Sequence, residues 1–227
     1  MHTPRPDVWY TNRMNKLIVN ADDFGYSYSV NKGIIEAHQK GVVTATSVMV
    51  DAIAAEEAAN LHKFPDLSVG LHFAVTDFND VMPELKRQFQ KFVTITGYEP
   101  DHINSHKIYT ENPGLMNYLL VFGREHDIPV RRLGSVKFID SFFGPHAGSD
   151  VSVAQLKKTI DEATEEHNEI MCHVGYSDDY LRKTSSYNDM REQELATICD
   201  PSIKQYLEEK SLELINWKQI NPQTYYL

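Results

Sequence analysis

Leu17-Ile18-Val19-Asn20-Ala21-Asp22-Asp23-Phe24-Gly25 joins an apolar run to two adjacent carboxylates and a glycine. Leu17-Ile18-Val19, rich in β-branched residues, predicts a buried strand. Beyond it, Val30, Ile34, Ala37 and His38 fall at helical spacing, with Ser27 or Ser29 as the N-cap and Gly41 as the stop. Asp22 and Asp23 therefore sit where a first strand gives way to a loop. Acidic residues at the carboxyl end of a buried strand are costly unless a cation, a proton or strong donors compensate them. The pair reads as half of a metal site.

Strand and helix signals alternate outward from this unit. Further strands are predicted over 42–50, 67–73, 102–106, 128–131, 136–139, 170–173 and 212–217. Helices are predicted over 52–59 with Asp51 as cap, over 84–92 and 114–125, from a capping box at Ser152 towards His167, and over 190–198 and 202–210. Repeated β-then-α order implies a parallel sheet, and seven or eight such units favour a barrel. The 227 residues are few for eight full units. The expected fold is therefore α/β, a single-domain, distorted or incomplete (β/α) TIM-like barrel over residues 14–227. Residues 1–13 carry Pro4, Pro6 and charges without periodicity, which predicts a mobile or loosely docked tail.

A formal charge of −10 with no basic cluster argues against nucleic acid or an anionic membrane as partner. Hydrophobic content of 41% and charged content of 24% are those of an ordinary globular chain. Cys172 and Cys199 have no CxxC spacing and give no disulfide framework; with no membrane-spanning or leader-like apolar run, the expected location is cytoplasmic.

Asp22, Asp23, His72, His106 and His173 each lie at or just beyond the carboxyl end of a predicted strand, the ends that converge on the active face of a barrel. His102, Asn104 and His106 alternate and so share one strand face. One carboxylate with two imidazoles suits Zn²⁺, Mn²⁺ or Fe²⁺, and Mg²⁺ less naturally. Each residue also has a plainer reading: a strand-end histidine bonded to backbone, as His102 suggests, or an Asp pair that forms a turn. Asp23-Phe24-Gly25 spells the kinase magnesium motif, but the glycine loop and HRD segment of kinases are absent. No P-loop, dinucleotide fingerprint or serine elbow appears. Tyr26, Phe73, Tyr176 and Tyr180 are loop aromatics, placed to meet a ligand or to be partly buried at the rim.

The stretch 17–25 resembles the opening of the YdjC-like (ChbG/HpnK-type) carbohydrate deacetylases. The resemblance continues at Asn31…Gly33-Ile34-Ile35-Glu36-Ala37-His38, through 41–50, and at Val69-Gly70-Leu71-His72-Phe73. It also takes in His102-Ile103-Asn104-Ser105-His106, Met171-Cys172-His173-Val174-Gly175-Tyr176 and Arg191-Glu192-Gln193-Glu194-Leu195. It implies a distorted barrel that holds a divalent cation on Asp23, His72 and His106. The cation is Mg²⁺ in the family's usual description, with Zn²⁺ or Mn²⁺ open. The resemblance also implies Asp22 as general base and matches His173 to a family motif histidine, the candidate general acid or oxyanion donor; apart from the resemblance, Arg131 or Arg132 is a candidate to orient Asp22. The implied reaction removes acetyl groups from N-acetylated sugars of the chitooligosaccharide type, in a homodimer. Three positions depart from the family's usual HxDSHxHxH motif: Asn104 replaces an acid, and Ile108 and Thr110 replace histidines. The amide implies weaker or different support for His106. Val174 replaces a proline, and the segment between His72 and His102 is short, which implies an altered cleft. Another metal-dependent hydrolase, acting on phosphoester or amide bonds, and a non-catalytic sugar-binding relative both stay open.

Overall fold

The computed structural model describes residues 14–75, 77–106, 113–142 and 150–227. The predicted tail, Ile108 and Thr110 lie outside the described residues. The chain alternates as the pattern requires: β1 (Lys16–Phe24), α1 (Tyr28–Lys40), β2 (Ala45–Val48), a 3-10 helix (Ala55–Lys63), β3 (Ser68–Phe73), α2 (Val81–Thr96), β4 (Ile103–Ser105), α3 (Pro113–Glu125), β5 (Lys137–Ile139), α4 (Val153–Asp161) and β6 (His167–Cys172). Then come α5 (Asp179–Thr184), α6 (Asp189–Ile198), α7 (Pro201–Glu209), β7 (Glu213–Leu214), a short 3-10 turn (Trp217–Gln219) and α8 (Pro222–Tyr225).

All strand pairs are parallel, in the order β4-β3-β2-β1-β6-β5, with β7 beside the start of β1. Val130 bridges to Ile103 outside β4, the remnant of the strand expected over 128–131. Among the described residues nothing pairs this edge to β5, so the sheet curls without closing: half a barrel. The incompleteness expected from chain length takes this form.

Side-chain alternation divides the interior in two. Leu17, Val19 and Ala21 join Val48, Leu71, Phe73, Ile103, Ile170 and Cys172 in the large core under the helices. On the opposite parity, Ile18 and Ala45 pack with Val136, Ile215, Trp217, Ile220 and Tyr225, so the C-terminal segment plugs the base of the concave face. Above this plug the concave positions turn polar: Asn20, Asp22, Ser47, His72, Asn104 and Glu169 are all buried. Burying a Leu, Ile or Phe side chain stabilises by about 1.5–3 kcal/mol, and the two clusters offset the cost of these polar groups.

Some boundaries differ from expectation. The helix expected over 52–59 is a 3-10 helix starting at Ala55, and Asp51 does not cap it. β6 starts at His167 rather than at 170, and β7 covers only two residues of 212–217. Phe73 is fully buried in the large core, so it is not a rim aromatic.

Candidate metal centre

Adjacent strand residues normally point to opposite faces, so two neighbouring aspartates reach one site only through an irregularity. β1 supplies it. Ala21 pairs with Thr46 and Phe24 with Val48, so Asp22 and Asp23 together oppose Ser47 alone, a β-bulge. Asp23 takes up the extra length in the left-handed region, with φ 71°, a conformation Asp tolerates better than most residues. Gly25 follows at φ 97°, where a Cβ would lie 3.0 Å from Met49 O and 3.1 Å from Ala55 Cα. The turn is held by Gly25 N donating to Asn31 Oδ1 at 2.5 Å and Tyr26 N donating to Asp23 O at 3.0 Å.

Beside the bulge, β3 delivers His72 and the residue after β4 delivers His106. Three donor atoms meet: His72 Nε2 lies 3.1 Å from Asp23 Oδ1, His106 Nδ1 lies 3.2 Å from the same oxygen, and the two nitrogens are 3.3 Å apart. Bonds of about 2.0–2.1 Å at tetrahedral angles set donors about 3.3–3.4 Å apart. The triangle therefore fits one face of a first-row divalent ion's coordination shell. His72 and Asp23 are buried and His106 is half-buried, which leaves the shell open on the His106 side. His72 Nδ1 faces Asn104 Oδ1 at 2.6 Å and Ser47 Oγ at 3.3 Å. That contact assigns the proton to Nδ1 and turns the Nε2 lone pair to the cluster. The partner of Asn104 is His72, not the His106 expected from the sequence. α2 steadies the end of β3, where Gln88 Oε1 accepts from Ala74 N at 3.2 Å and Gln88 Nε2 donates to Ala74 O at 2.5 Å.

Asp22 stands outside the triangle, clamped by Arg131. Nη1 donates to Oδ2 at 2.7 Å and Nη2 to Oδ1 at 2.8 Å, while Oδ1 also accepts from Asn20 Nδ2 at 2.6 Å and Asn104 Nδ2 at 3.3 Å. Of the two arginines suggested by the sequence, Arg131 takes this place; Arg132 pairs with Asp140 at 2.8 Å. Arg131 Nε and Nη2 reach Glu169 Oε1 at 2.9 and 2.7 Å. Burial pushes the Asp22 carboxyl up, but Arg131 and then His72 outweigh it and hold the group well below the usual carboxylate range. Asp23 behaves alike, with Arg191 as the largest opposing influence.

His173 follows β6. Its Nε2 lies 4.0 Å from Asp23 Oδ2, and its backbone N donates to the buried Glu194 Oε2 at 2.5 Å. Burial lowers the imidazole to about 4, so the ring is neutral at pH 7, and burial lifts Glu194 to about 7. His102 shares the strand face of Asn104 but lies a layer deeper, stacked on Trp217 with centroids 5.0 Å apart. It belongs to the plug. Tyr26 and Tyr180 meet edge to face and line a cleft with Met49, Val50, Asp51 and His72. Tyr176 is tied back to α1 through Glu36 Oε2 at 2.5 Å.

Sequence reasoning left Asn20, Ser47 and Glu169 without a role, and gave Arg191 none beyond its place in a motif. The available signal was polar residues at the concave parity of buried strands, Asn20 and Asp22 in β1 and Glu169 in β6.

A sequence model of the family described as YdjC-like protein matches residues 16–83 and 77–209. A carbohydrate deacetylase of Clostridium beijerinckii is 31% identical over 251 residues, spanning 90% of this chain and 100% of the relative. A chitooligosaccharide deacetylase of Proteus mirabilis is 32% identical over 249 residues, spanning 90% and 98%. Among solved structures, an Enterococcus faecalis V583 protein assigned provisionally to cellobiose-phosphate cleavage superposes with a TM-score of 0.81 at 25% identity, over 90% of this chain and 98% of that one. A family 4 carbohydrate esterase from Streptomyces lividans, in complex with acetate, gives a TM-score of 0.59 at 17% identity over 93% and 95%, a likeness of fold alone.

Proposed function

The chain belongs to the YdjC-like family, and from that premise we infer that it is a metal-dependent carbohydrate N-deacetylase. Its substrates are N-acetylated sugars of the chitooligosaccharide type, and its products are acetate and the free amine. One observation carries the reading: a triangle of Asp23, His72 and His106 donors with Asp22 fixed beside it but kept out of it. The named activities of the relatives support the substrate class.

A divalent cation on those three residues would polarise the acetamide carbonyl and supply a water of lowered pKa. The donor set suits Zn²⁺, Mn²⁺ or Fe²⁺ better than Mg²⁺. Asp22 accepts the water's proton. Its Oδ1 is crowded by Asn20, Arg131, Asn104 and Ser47, whereas among the described residues Oδ2 accepts at hydrogen-bond distance from Arg131 alone, so Oδ2 is the oxygen with capacity to spare. So acidic a carboxyl is a weak base, effective only toward an unusually acidic water. His173, neutral at rest, presents its imidazole near Asp23 Oδ2 to stabilise the tetrahedral oxyanion through its N–H, or to relay to the departing nitrogen the proton that Asp22 takes from the water. Tyr26 and Tyr180, at the cleft beside His72, receive the sugar ring.

The test is acetate release from N-acetylated chitooligosaccharides by metal-loaded and chelated protein, with phosphate release from a generic ester as the contrast. Acetate release that chelation abolishes is expected; phosphate release without acetate, or oligosaccharide binding without turnover, overturns the reading. Asp22→Asn should keep the metal and lower turnover by about 10²–10⁴-fold, the usual contribution of a general base.

A further inference from the structure

The buried cation beside Asp23 is not accounted for by the chemistry above. Arg191, on α6, is 2% exposed and donates from Nη2 to Asp23 Oδ2 at 2.6 Å. Its Nε donates to Tyr187 O at 2.9 Å, and its guanidinium lies 5.7 Å from the centroids of both the Tyr26 and Tyr187 rings. Asp23 Oδ1, by contrast, faces His72 Nε2 and His106 Nδ1. The two oxygens of one carboxylate are thus divided between a fixed cation and the metal cluster. For both oxygens to coordinate a metal, a 2.6 Å ion pair inside a buried site would have to break. The paired guanidinium also draws off part of the negative charge that Asp23 would donate.

We propose that Arg191 is a positioning residue that confines Asp23 to coordination through Oδ1 and keeps the bound cation electron-poor, at the expense of affinity. The proposal rests on the metal-centre reading above. It differs in sign from simple scaffolding. Loss of a supporting partner generally weakens metal binding by about 10–100-fold. Removal of a competing charge at this distance strengthens binding instead, by an expected tenfold or so.

The experiment uses full-length protein stripped of metal and titrated with Zn²⁺ by calorimetry and with Co²⁺ by visible absorption, whose intensity falls as coordination number rises. In Arg191→Gln, Zn²⁺ should bind about tenfold more tightly, the Co²⁺ band should weaken as Oδ2 joins the shell, and kcat should fall. Arg191→Lys keeps the charge but loses the Nε bond to Tyr187 O, so its Zn²⁺ affinity should stay within about threefold of wild type or rise, and not fall. Weaker Zn²⁺ binding with an unchanged band in Arg191→Gln overturns the proposal. If that variant does not fold, Zn²⁺ binding in Arg191→Lys more than about threefold weaker than wild type overturns it equally. Wild-type protein that takes up neither ion defeats the metal-centre reading itself, a distinct outcome.

Discussion

Asn104 faces three buried partners at once. Its Oδ1 meets His72 Nδ1 at 2.6 Å, while its Nδ2 donates to Ser47 Oγ at 3.0 Å and to Asp22 Oδ1 at 3.3 Å. A carboxylate here would serve His72 equally well, but it would set a second negative charge against Asp22 and offer Ser47 no proton. The amide is therefore matched to this chain's Asp22, which already carries Arg131, Asn20 and Asn104 as donors. From the sequence alone Asn104 read as a weakened support for His106, because strand parity shows that two residues share a face and not which imidazole turns toward which amide. Asn104→Leu should lower Zn²⁺ affinity by about 10–100-fold, read by calorimetric titration, because His72 loses the contact that fixes its tautomer. Affinity equal to wild type would show that packing alone orients the ring.

At the scale of elements, the end of β1 and the turn after it decide whether the two aspartates share a site. The bulge puts Asp22 and Asp23 against one residue of β2, and the turn closes through Asp23 at φ 71° and Gly25 at φ 97°. Gly25→Ala should cost about 1–3 kcal/mol in a urea-unfolding comparison, from the left-handed backbone with its crowded Cβ. A loss below half a kcal/mol, the ordinary scatter of harmless substitutions, would mean that the turn relaxes freely. The sequence showed that strand β1 existed, which ends its neighbours shared and which polar residues gathered there, because period-2 burial and strand order are local properties. What it hid lay at long range. Asp51 read as a helix cap, yet its carboxylate pairs with Arg87 and with Lys91 at 2.9 Å on α2, partners that no local window holds. β6 read three residues short because Asn168 and Glu169 interrupt its apolar run; both are fully buried, Asn168 capping backbone and Glu169 meeting Arg131. β7 read long because Asn216, which looks like strand, forms a capping box with Gln219 and opens a 3-10 turn.

Across the whole molecule, the plug that closes the base of the half-barrel also sets a term in acid stability. His102 is buried against Trp217, and neither ring nitrogen has a hydrogen-bond partner among the described residues. Gly70 makes room for the ring: a Cβ there would stand 2.4 Å from His102 Cε1. Burial holds the imidazole well below its ordinary 6.5. The sign follows from linkage. Above 6.5 the ring is neutral both folded and unfolded; as pH falls below that value the unfolded chain binds a proton that the folded chain refuses, and stability drops. His173, lowered to about 4, acts in the same direction. Glu194, raised to about 7, and Glu169, also raised, act oppositely: their folded forms take protons first on acidification. His72, raised, contributes stability that is complete below 6.5. Asp22 and Asp23, both lowered, matter only below the ordinary 3.8. The wild-type curve is thus a sum of opposed terms, and the diagnostic quantity is its difference from His102→Gln, which removes one titration and keeps a planar polar group. Denaturant unfolding of both proteins at several pH values should show parallel curves above pH 6.5. Below it the variant should gain on wild type by up to about 1.4 kcal/mol per pH unit. Curves that stay parallel down to about pH 5 would mean that His102 is protonated without cost in the fold. The stack on Trp217 would then be a cation–π contact and not a neutral one.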